Sequence, residues 1–267
     1  MNLMKIAIIT RGRMNNVRTM DSIPRDWLSQ TYIICPHEEV FSHEKRYPSA
    51  KIIPEGPRTL NYSEKFHAIV GGHYPELGRR ILIIDDDIRY SVRNPQNPKS
   101  LVTAYENEIS NAFKVLETMM EDYPLVGLHP RAMGNNAPIG IKECTRINAM
   151  QGVNLDLIGP IKLDLWPILA DMVLNLSLLM RGQKTAIFCN LFWDQVGASN
   201  APGGCSLHRT AEQQAQAVYG LAGMFPDVVT VTEKEVKKGW FGGKRVDFRI
   251  QWQKAYKLGV EHAKGIH

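Results

Sequence analysis

Apolar residues in the first half of the chain fall in short unbroken runs, separated by polar stretches with helical spacing. Lys5–Thr10 is one such run, Tyr32–Cys35, ended by Pro36, a second, and Lys51–Ile53, stopped by Pro54 and Gly56, a third. Tyr62–Val70 then carries apolar residues at helical spacing and ends at Gly71-Gly72. A fourth strand, Arg80–Ile84, runs directly into Asp85-Asp86-Asp87. Uninterrupted apolar runs, rather than alternation, are what strands buried on both faces of a parallel sheet require.

Further on, Leu101–Glu121 reads as one long amphipathic helix, with Leu101, Tyr105, Ile109, Phe113, Leu116 and Met120 on one side. Val126–Leu128 is a short strand, the stretch from Arg131 to Gly140 a loop, and Ile147–Ile158 one or two strands. Pro167–Met180 reads as a helix with proline near its first turn and Gly182 after its end. Thr185–Leu191 is a strand, and Asn200–Cys205 an irregular loop with the character of a lid. A helix over Ala211–Ala222, strands at Val228–Val231 and Val246–Ile250, and a short basic helix complete the chain. Without repeats or low-complexity linkers, this order predicts an α/β fold. Its Rossmann-related, mainly parallel twisted sheet is flanked by helices, with a more irregular C-terminal portion.

Composition narrows the class. With 44% hydrophobic and 22% charged residues among 267, wholesale disorder is excluded. The N-terminal apolar run is too short for a secretory signal. The longest apolar stretch, Leu165–Met180, is interrupted by Pro167, Asp171 and Asn175, so no membrane span is expected. Four scattered cysteines, without the close spacing of a zinc or redox motif, fit a reducing, cytoplasmic setting. The net charge of +5 is concentrated: nine Lys/Arg face four Asp/Glu between Glu233 and His267, a surplus equal to the whole chain's excess. That segment is either a solvated surface or a patch for a polyanion.

The sharpest chemical signal is the acid triplet. Ligands of open α/β sheets bind beyond the carboxyl ends of strands. Three successive carboxylates there repel unless something positive lies among them. Mg²⁺ or Mn²⁺ suits oxygen ligands and shares them with substrate phosphates. In an extended segment Asp85 and Asp87 would face one site. Thr10-Arg11-Gly12-Arg13 follows the first strand. There the glycine permits close backbone approach, and Arg11 and Arg13 can neutralise or stack on a nucleotide. Lys65, at the start of the helix feeding the Asp strand, either points at a diphosphate or is an ordinary exposed helical lysine.

A strand ending in Asp-x-Asp behind a nucleotide-binding half resembles the GT-A glycosyltransferases. The resemblance implies that Asp85 contacts ribose, that Asp87 ligates the metal and that Asp86 supports either. It also implies that Thr10, Arg11, Arg13, Lys65 and Arg209 meet the nucleotide. Leu169–Gly182 resembles the segment that presents the base of inverting members, which assigns that role to Asp171 over a simple helix-dipole contact. A late histidine completing the metal shell would be His208. Trp193 and Asp194 would approach the acceptor, unless Trp193 is core.

Thr-Arg-Gly-Arg, Asn-Tyr-Ser-Glu-Lys-Phe, the triplet, Asp-Met-x-Leu-x-Leu and Gly-Gly-Cys-Ser-x-x-Arg, in that order, resemble the TET/JBP-associated glycosyltransferases, encoded by phages and acting on hydroxymethylated pyrimidines. The resemblance implies one domain over residues 1–267, with a nucleotide-binding half (1–125) and an acceptor half (126–267). It further implies a UDP-sugar donor, a divalent metal, and double-stranded DNA with modified bases as acceptor, in the host cytoplasm. On that reading Lys237, Lys238, Trp240 and Arg245 meet the DNA. The competing expectations are a glycan, small-molecule or protein acceptor, a non-catalytic nucleic-acid-binding module, and a metal nuclease.

Overall fold

A computed structural model of the chain describes residues 3–14, 16–195, 210–235 and 244–265. The first half gives β1 (Lys5–Ile9), β2 (Thr31–Cys35), α1 (Val40–Arg46), β3 (Lys51–Pro54), α2 (Tyr62–Val70) and β4 (Arg80–Asp85). Then come β5 (Ile88–Asn94), β6 (Asn97–Thr103), α3 (Glu106–Met119), β7 (Leu125–Pro130), β8 (Ile141–Glu143) and β9 (Met150–Asn154). The remainder is α4 (Leu155–Ile158), α5 (Ala170–Met180), β10 (Ala186–Gln195), α6 (Ala211–Met224), β11 (Val229–Glu235), β12 (Lys244–Ile250) and α7 (Trp252–Ala263).

Among the described residues, ten strands form one mixed sheet in the order β3-β2-β1-β4-β9-β7-β10-β5-β6, with β8 beside β10. β5, β8 and β9 run against the other seven, so the sheet is mostly parallel in direction. β11 and β12 make a separate antiparallel hairpin. Helices flank the main sheet, an α/β architecture with a Rossmann-like first half.

The unbroken apolar runs supply both faces. Ala7, Ile9, Tyr32, Ile34, Ile81 and Ile83 pack with Phe66 and Ile69 of α2 and the apolar side chains of α5. Ile6, Ile8, Ile33, Cys35, Leu82 and Ile84 face the other way, onto Met20, Trp27 and, from α3, Phe113 and Leu116. α2 starts where Asn61 and Glu64 cap each other reciprocally, at 3.0 and 2.8 Å. α5 is apolar nearly all round because α7 covers it from outside. The two helices meet at Gly259, where a Cβ would lie 2.1 Å from the Leu179 carbonyl. The buried polar Asn175 within α5 is satisfied by the Thr145 carbonyl and the Thr185 hydroxyl.

Three assignments differ from the sequence pattern. Leu101–Thr103 belongs to β6, whose pairing with Ser91–Arg93 overrides the helical spacing, and α3 begins only at Glu106. The β5–β6 hairpin itself is not signalled by an apolar run, because its outer strand is largely exposed. Ile147–Ile158 holds one strand and then a single helical turn, α4. No helix among the described residues is long and apolar enough to cross a membrane. Cys35, Cys144 and Cys189 are buried free thiols.

Candidate functional site at the β1–β4 switch

The chain leaves β1 outward through β2 to β3, then returns to the other side of β1 as β4. This reversal of winding falls at the carboxyl ends of β1 and β4, the usual ligand position in open α/β sheets. Ile9 pairs with Asp85 in register, so Thr10 and Asp86 are the first residues past the paired sheet. They meet there: the Thr10 hydroxyl donates to Asp86 Oδ2 at 2.6 Å.

Arg13 crosses the same space. Its Nη1 is ion-paired to Asp86 Oδ1 and lies 3.2 Å from Asp87 Oδ2. Burial works against the guanidinium charge, but Asp86, Asp87 and Asp85 hold the Arg13 pKa above its ordinary value. Burial pushes the Asp86 carboxyl up to about 6, against the pull of Arg13 and Thr10, and the neighbouring Asp87 adds to the rise. Asp87 Oδ1 is buried and has no hydrogen-bond partner among the described residues. The strand ends at Asp85 and the next two residues form a turn. Strict alternation therefore stops before Asp87: Asp86 and Asp87 share Arg13, while Asp85 Oδ2 accepts from Gln195 Nε2 at 3.1 Å.

The loop after β1 is fixed from beneath by buried charge. Gly12 takes a positive φ of 72°, and its N–H donates to Glu39 Oε1 at 2.8 Å. His43, fully buried, lies 3.3 Å from the other oxygen of Glu39. Burial raises the Glu39 pKa, but the His43 contact and the Gly12 N–H leave it below the ordinary carboxylate range. Lys65 corrects both of its sequence readings. It is neither exposed nor turned to a ligand, because its ammonium is 2.5 Å from Glu55 and donates to the Thr10 carbonyl at 2.9 Å.

Thr19, Glu39, Glu55 and Gln195 are contributors that sequence reasoning did not single out. Thr19 ties the acid turn down. Its N–H donates to the Asp86 carbonyl at 3.1 Å and its hydroxyl to the Asp85 carbonyl at 2.5 Å, while the Ile88 N–H donates to that hydroxyl at 2.8 Å. It sits in a short 3-10 segment, Arg18–Ser22, which has no periodicity to read. Gln195, next to the Trp-Asp pair at the end of β10, had a sequence position but no role.

The remaining candidates divide. Asp171 stands in the first turn of α5, whose N-cap Leu169 adopts a left-handed φ of 72°. α5 is followed within a few residues by the start of β10. Its first turn therefore lies toward the sheet edge where β4 and β10 end. Trp193 is a correction: it is buried in the core and its Nε1 donates to the Leu128 carbonyl at 3.0 Å, so its ring is not presented to an acceptor. Asp194 is half-exposed, with Arg131 3.4 Å away. Arg245 lies on β12, 3.6 Å from Asp247, which also pairs with Lys234 at 2.8 Å. His208, Arg209, Lys237, Lys238 and Trp240 lie outside the described residues. Among the described residues no group of three or more His, Cys, Asp or Glu side chains is arranged around a metal position.

Two solved structures are distantly similar at 11% identity. A 4-diphosphocytidyl-2C-methyl-D-erythritol synthase aligns with 75% of this chain and 96% of its own, at a TM-score of 0.42. The inositol-1-phosphate CTP transferase from T. maritima aligns with 84% and 97%, also at 0.42. A mannose-1-phosphate geranyltransferase from Thermus thermophilus matches 70% of this chain at 12% identity and a TM-score of 0.33. The alignment spans 58% of that protein's length. Likenesses this remote carry no functional statement. No curated protein matches the chain. The family model of the TET-associated glycosyltransferases, however, matches residues 4–204, the span that contains the β1 loop, the acid triplet, α5 and β10. The chain is a glycosyltransferase and belongs to the TET-associated glycosyltransferase family.

Proposed function

We propose that the chain transfers a sugar, with inversion, from a UDP-sugar to the hydroxymethyl group of a hydroxymethylated pyrimidine in phage DNA, using Mn²⁺ or Mg²⁺. Residues 1–267 act as one catalytic unit in the host cytoplasm. The observation that carries this reading is the convergence of Asp86, Asp87 and Arg13 at the β1–β4 switch, with one buried oxygen of Asp87 left without a hydrogen bond among the described residues.

The donor set fits a divalent metal. Asp87 offers an unsatisfied oxygen, and Mg²⁺ sites typically use one or two carboxylates completed by water and substrate phosphates. Asp87 and Asp85 would hold the ion, and when bound it would neutralise charge on the departing diphosphate. The outer supports of that site belong to the chain itself. Gln195 orients Asp85, Thr19 fixes the turn, and Thr10 with Arg13 restrains Asp86. Arg11 and Arg13 supply positive charge near the nucleotide, with Arg209 and the proposed ligand His208 from the 196–209 segment. Lys65 serves by holding the Thr10 carbonyl rather than by touching phosphate.

Transfer itself is a single displacement. The acceptor oxygen forms a bond to the anomeric carbon while the bond from that carbon to the diphosphate oxygen breaks. The hydroxyl proton passes to a carboxylate oxygen of Asp171. Asp194, with Lys237, Lys238, Trp240 and Arg245, is assigned to the acceptor side, where cationic side chains would meet DNA phosphates.

The test is to incubate the purified protein with a panel of UDP-sugars, Mn²⁺ and hydroxymethylated or unmodified DNA. Mass spectrometry of the digested nucleosides should show one hexose or pentose increment on the hydroxymethylated base alone. Donor turnover indifferent to DNA, with an increment on a glycan or small glycoside, would reassign the acceptor. Binding of DNA with no affinity for UDP or Mn²⁺ would remove the enzymatic reading.

A further inference from the structure

Behind the acid turn, on the face carrying α3, lies a cavity of about 550 Å³. That is within the range of sites that enclose a small ligand. Arg18, Arg25 and Arg89 all line it, above an apolar floor that includes Ile23, Tyr90 and Ile109. Such grouping is unfavourable for guanidinium charges unless an anion offsets it. Among the described residues none of the three is ion-paired to a carboxylate. Arg18 Nε donates to Asn16 Oδ1 at 3.2 Å. Two acids also line it, Glu106, whose Oε1 accepts the backbone N–H of Arg25 at 2.7 Å, and the exposed Asp21, so three guanidinium groups, two of them exposed, face two carboxylates and the lining stays net positive.

The cavity is coupled to the acid turn through the backbone. Arg18 precedes Thr19, which binds the Asp85 and Asp86 carbonyls, and Arg89 follows Ile88, whose N–H returns to the Thr19 hydroxyl. An anion held here would therefore sit beside the acid turn on a support that the turn's own hydrogen bonds keep rigid. Arginine's planar fork suits phosphate oxygens, and the apolar floor suits the flat or methylene surfaces of a nucleoside.

We propose that this cavity is an acceptor subsite that takes a backbone phosphodiester, with its nucleoside, next to the pyrimidine being modified. The inference rests on the DNA-acceptor reading above and adds the place where the strand is gripped. The shared chemistry, a phosphate on arginines, would also suit the donor's diphosphate, so the experiment separates the two.

Binding of a fluorescent hydroxymethylated duplex is measured by anisotropy across a salt series, for the wild type and for Arg18→Ala, Arg89→Ala and Arg89→Lys. UDP binding is followed in parallel by calorimetry with Mn²⁺. Each alanine variant should weaken DNA binding about tenfold, the loss of one charge-assisted hydrogen bond. It should also flatten the salt slope by about 0.9, one phosphate contact. Arg89→Lys should recover part of the loss, and Asp21→Asn should tighten binding. A duplex with a neutral methylphosphonate beside the target base should lower wild-type affinity and be indifferent to the alanine substitutions, because both changes remove the same contact.

UDP affinity should stay within about twofold, a difference well under the tenfold step of 1.4 kcal/mol. A matching loss of UDP affinity would place the donor's phosphates in the cavity and overturn the proposal. Alanine variants that bind DNA as tightly as the wild type would overturn the subsite and leave the DNA-acceptor reading standing. A wild type that binds UDP but no DNA would remove both.

Discussion

Lys65 Nζ lies 2.5 Å from Glu55 Oε2, and neither side chain is open to solvent. The ammonium also donates to the Thr10 carbonyl, where β1 gives way to the loop that carries Gly12 and Arg13. Glu55 Oε1 takes the Leu60 N–H at 2.9 Å, and Lys65 is the one partner of Oε2 among the described residues. The pair thus joins the end of β3, the first turn of α2 and the end of β1.

Removing one member strands a buried charge. Lys65→Met should destabilise the protein by about 3–5 kcal/mol, and Lys65→Met with Glu55→Leu by clearly less, because the second change removes the orphaned carboxylate. Urea unfolding midpoints check the order. If Lys65 instead served the diphosphate, the single variant would lose UDP affinity and keep its midpoint.

This pair marks the boundary of what the sequence discloses. The strands of the first half are legible because burial on both faces demands unbroken apolar runs, and Ile81–Ile84 before three acids needs no partner to be read. Lys65 is not legible. An i-to-i+4 pattern cannot tell an exposed lysine from one that meets a glutamate ten positions upstream across a turn. Thr19 and Glu39 escape for the same reason: their partners, the Asp85 and Asp86 carbonyls and the Gly12 N–H, are supplied by other parts of the sheet. Trp193 misleads in the opposite direction. Of its two readings, a ring offered to an acceptor and a core residue after a strand, the second holds, because its indole N–H is spent on the Leu128 carbonyl. Leu101–Thr103 shows local spacing yielding to pairing with β5.

Arg13 stands where a divalent ion would do similar electrostatic work, which gives a metal-specific prediction. Arg13→Ala leaves Asp86 and Asp87 facing one another without a cation, so its Tm without metal should fall below that of the wild type. Mn²⁺ should then raise Tm more in the variant, approaching about 2.7 kcal/mol of stabilisation at a hundredfold excess over its dissociation constant. Asp87→Asn should abolish that gain and weaken Mn²⁺ by more than roughly 10–100-fold, the loss usual for groups that merely support a metal ligand. Thermal unfolding with and without Mn²⁺ reads both. An equal Mn²⁺ response in the wild type and both variants would detach the ion from this site.

Two helical glycines should respond with opposite signs. At Gly259 a Cβ would sit 2.1 Å from the Leu179 carbonyl and 2.6 Å from the Gly182 nitrogen, all backbone that cannot rotate aside. Gly259→Ala should therefore push α7 off α5 and cost at least the 1–3 kcal/mol typical of overpacking, roughly at its upper end. At Gly223 of α6 nothing lies within 4 Å. Gly223→Ala should stabilise by about 0.5–1 kcal/mol through helix propensity. Unfolding midpoints decide; a neutral Gly259→Ala would mean that α7 is loosely attached.

Asp171 can be a base or a helix-capping charge, and the two roles leave different traces. As an acid in the first turn of α5 it contributes to stability through the helix dipole by about 0.3–1 kcal/mol. Asp171→Asn would remove that small term in either case. As the base, the same substitution should lower kcat by about 10²–10⁴-fold, the range of general-base catalysis. Donor KM and UDP affinity should hold, since the group acts on the acceptor hydroxyl. Leu169 gives a second handle. Its left-handed φ of 72° sets the angle at which α5 enters, and Leu169→Gly relieves that strain without touching the carboxylate. That variant also gives up the packing of the Leu169 side chain on the core, so it should lose stability, yet it should lose less kcat than Asp171→Asn. Full turnover by Asp171→Asn on the modified base, measured under saturating donor and metal, would assign the proton to another group.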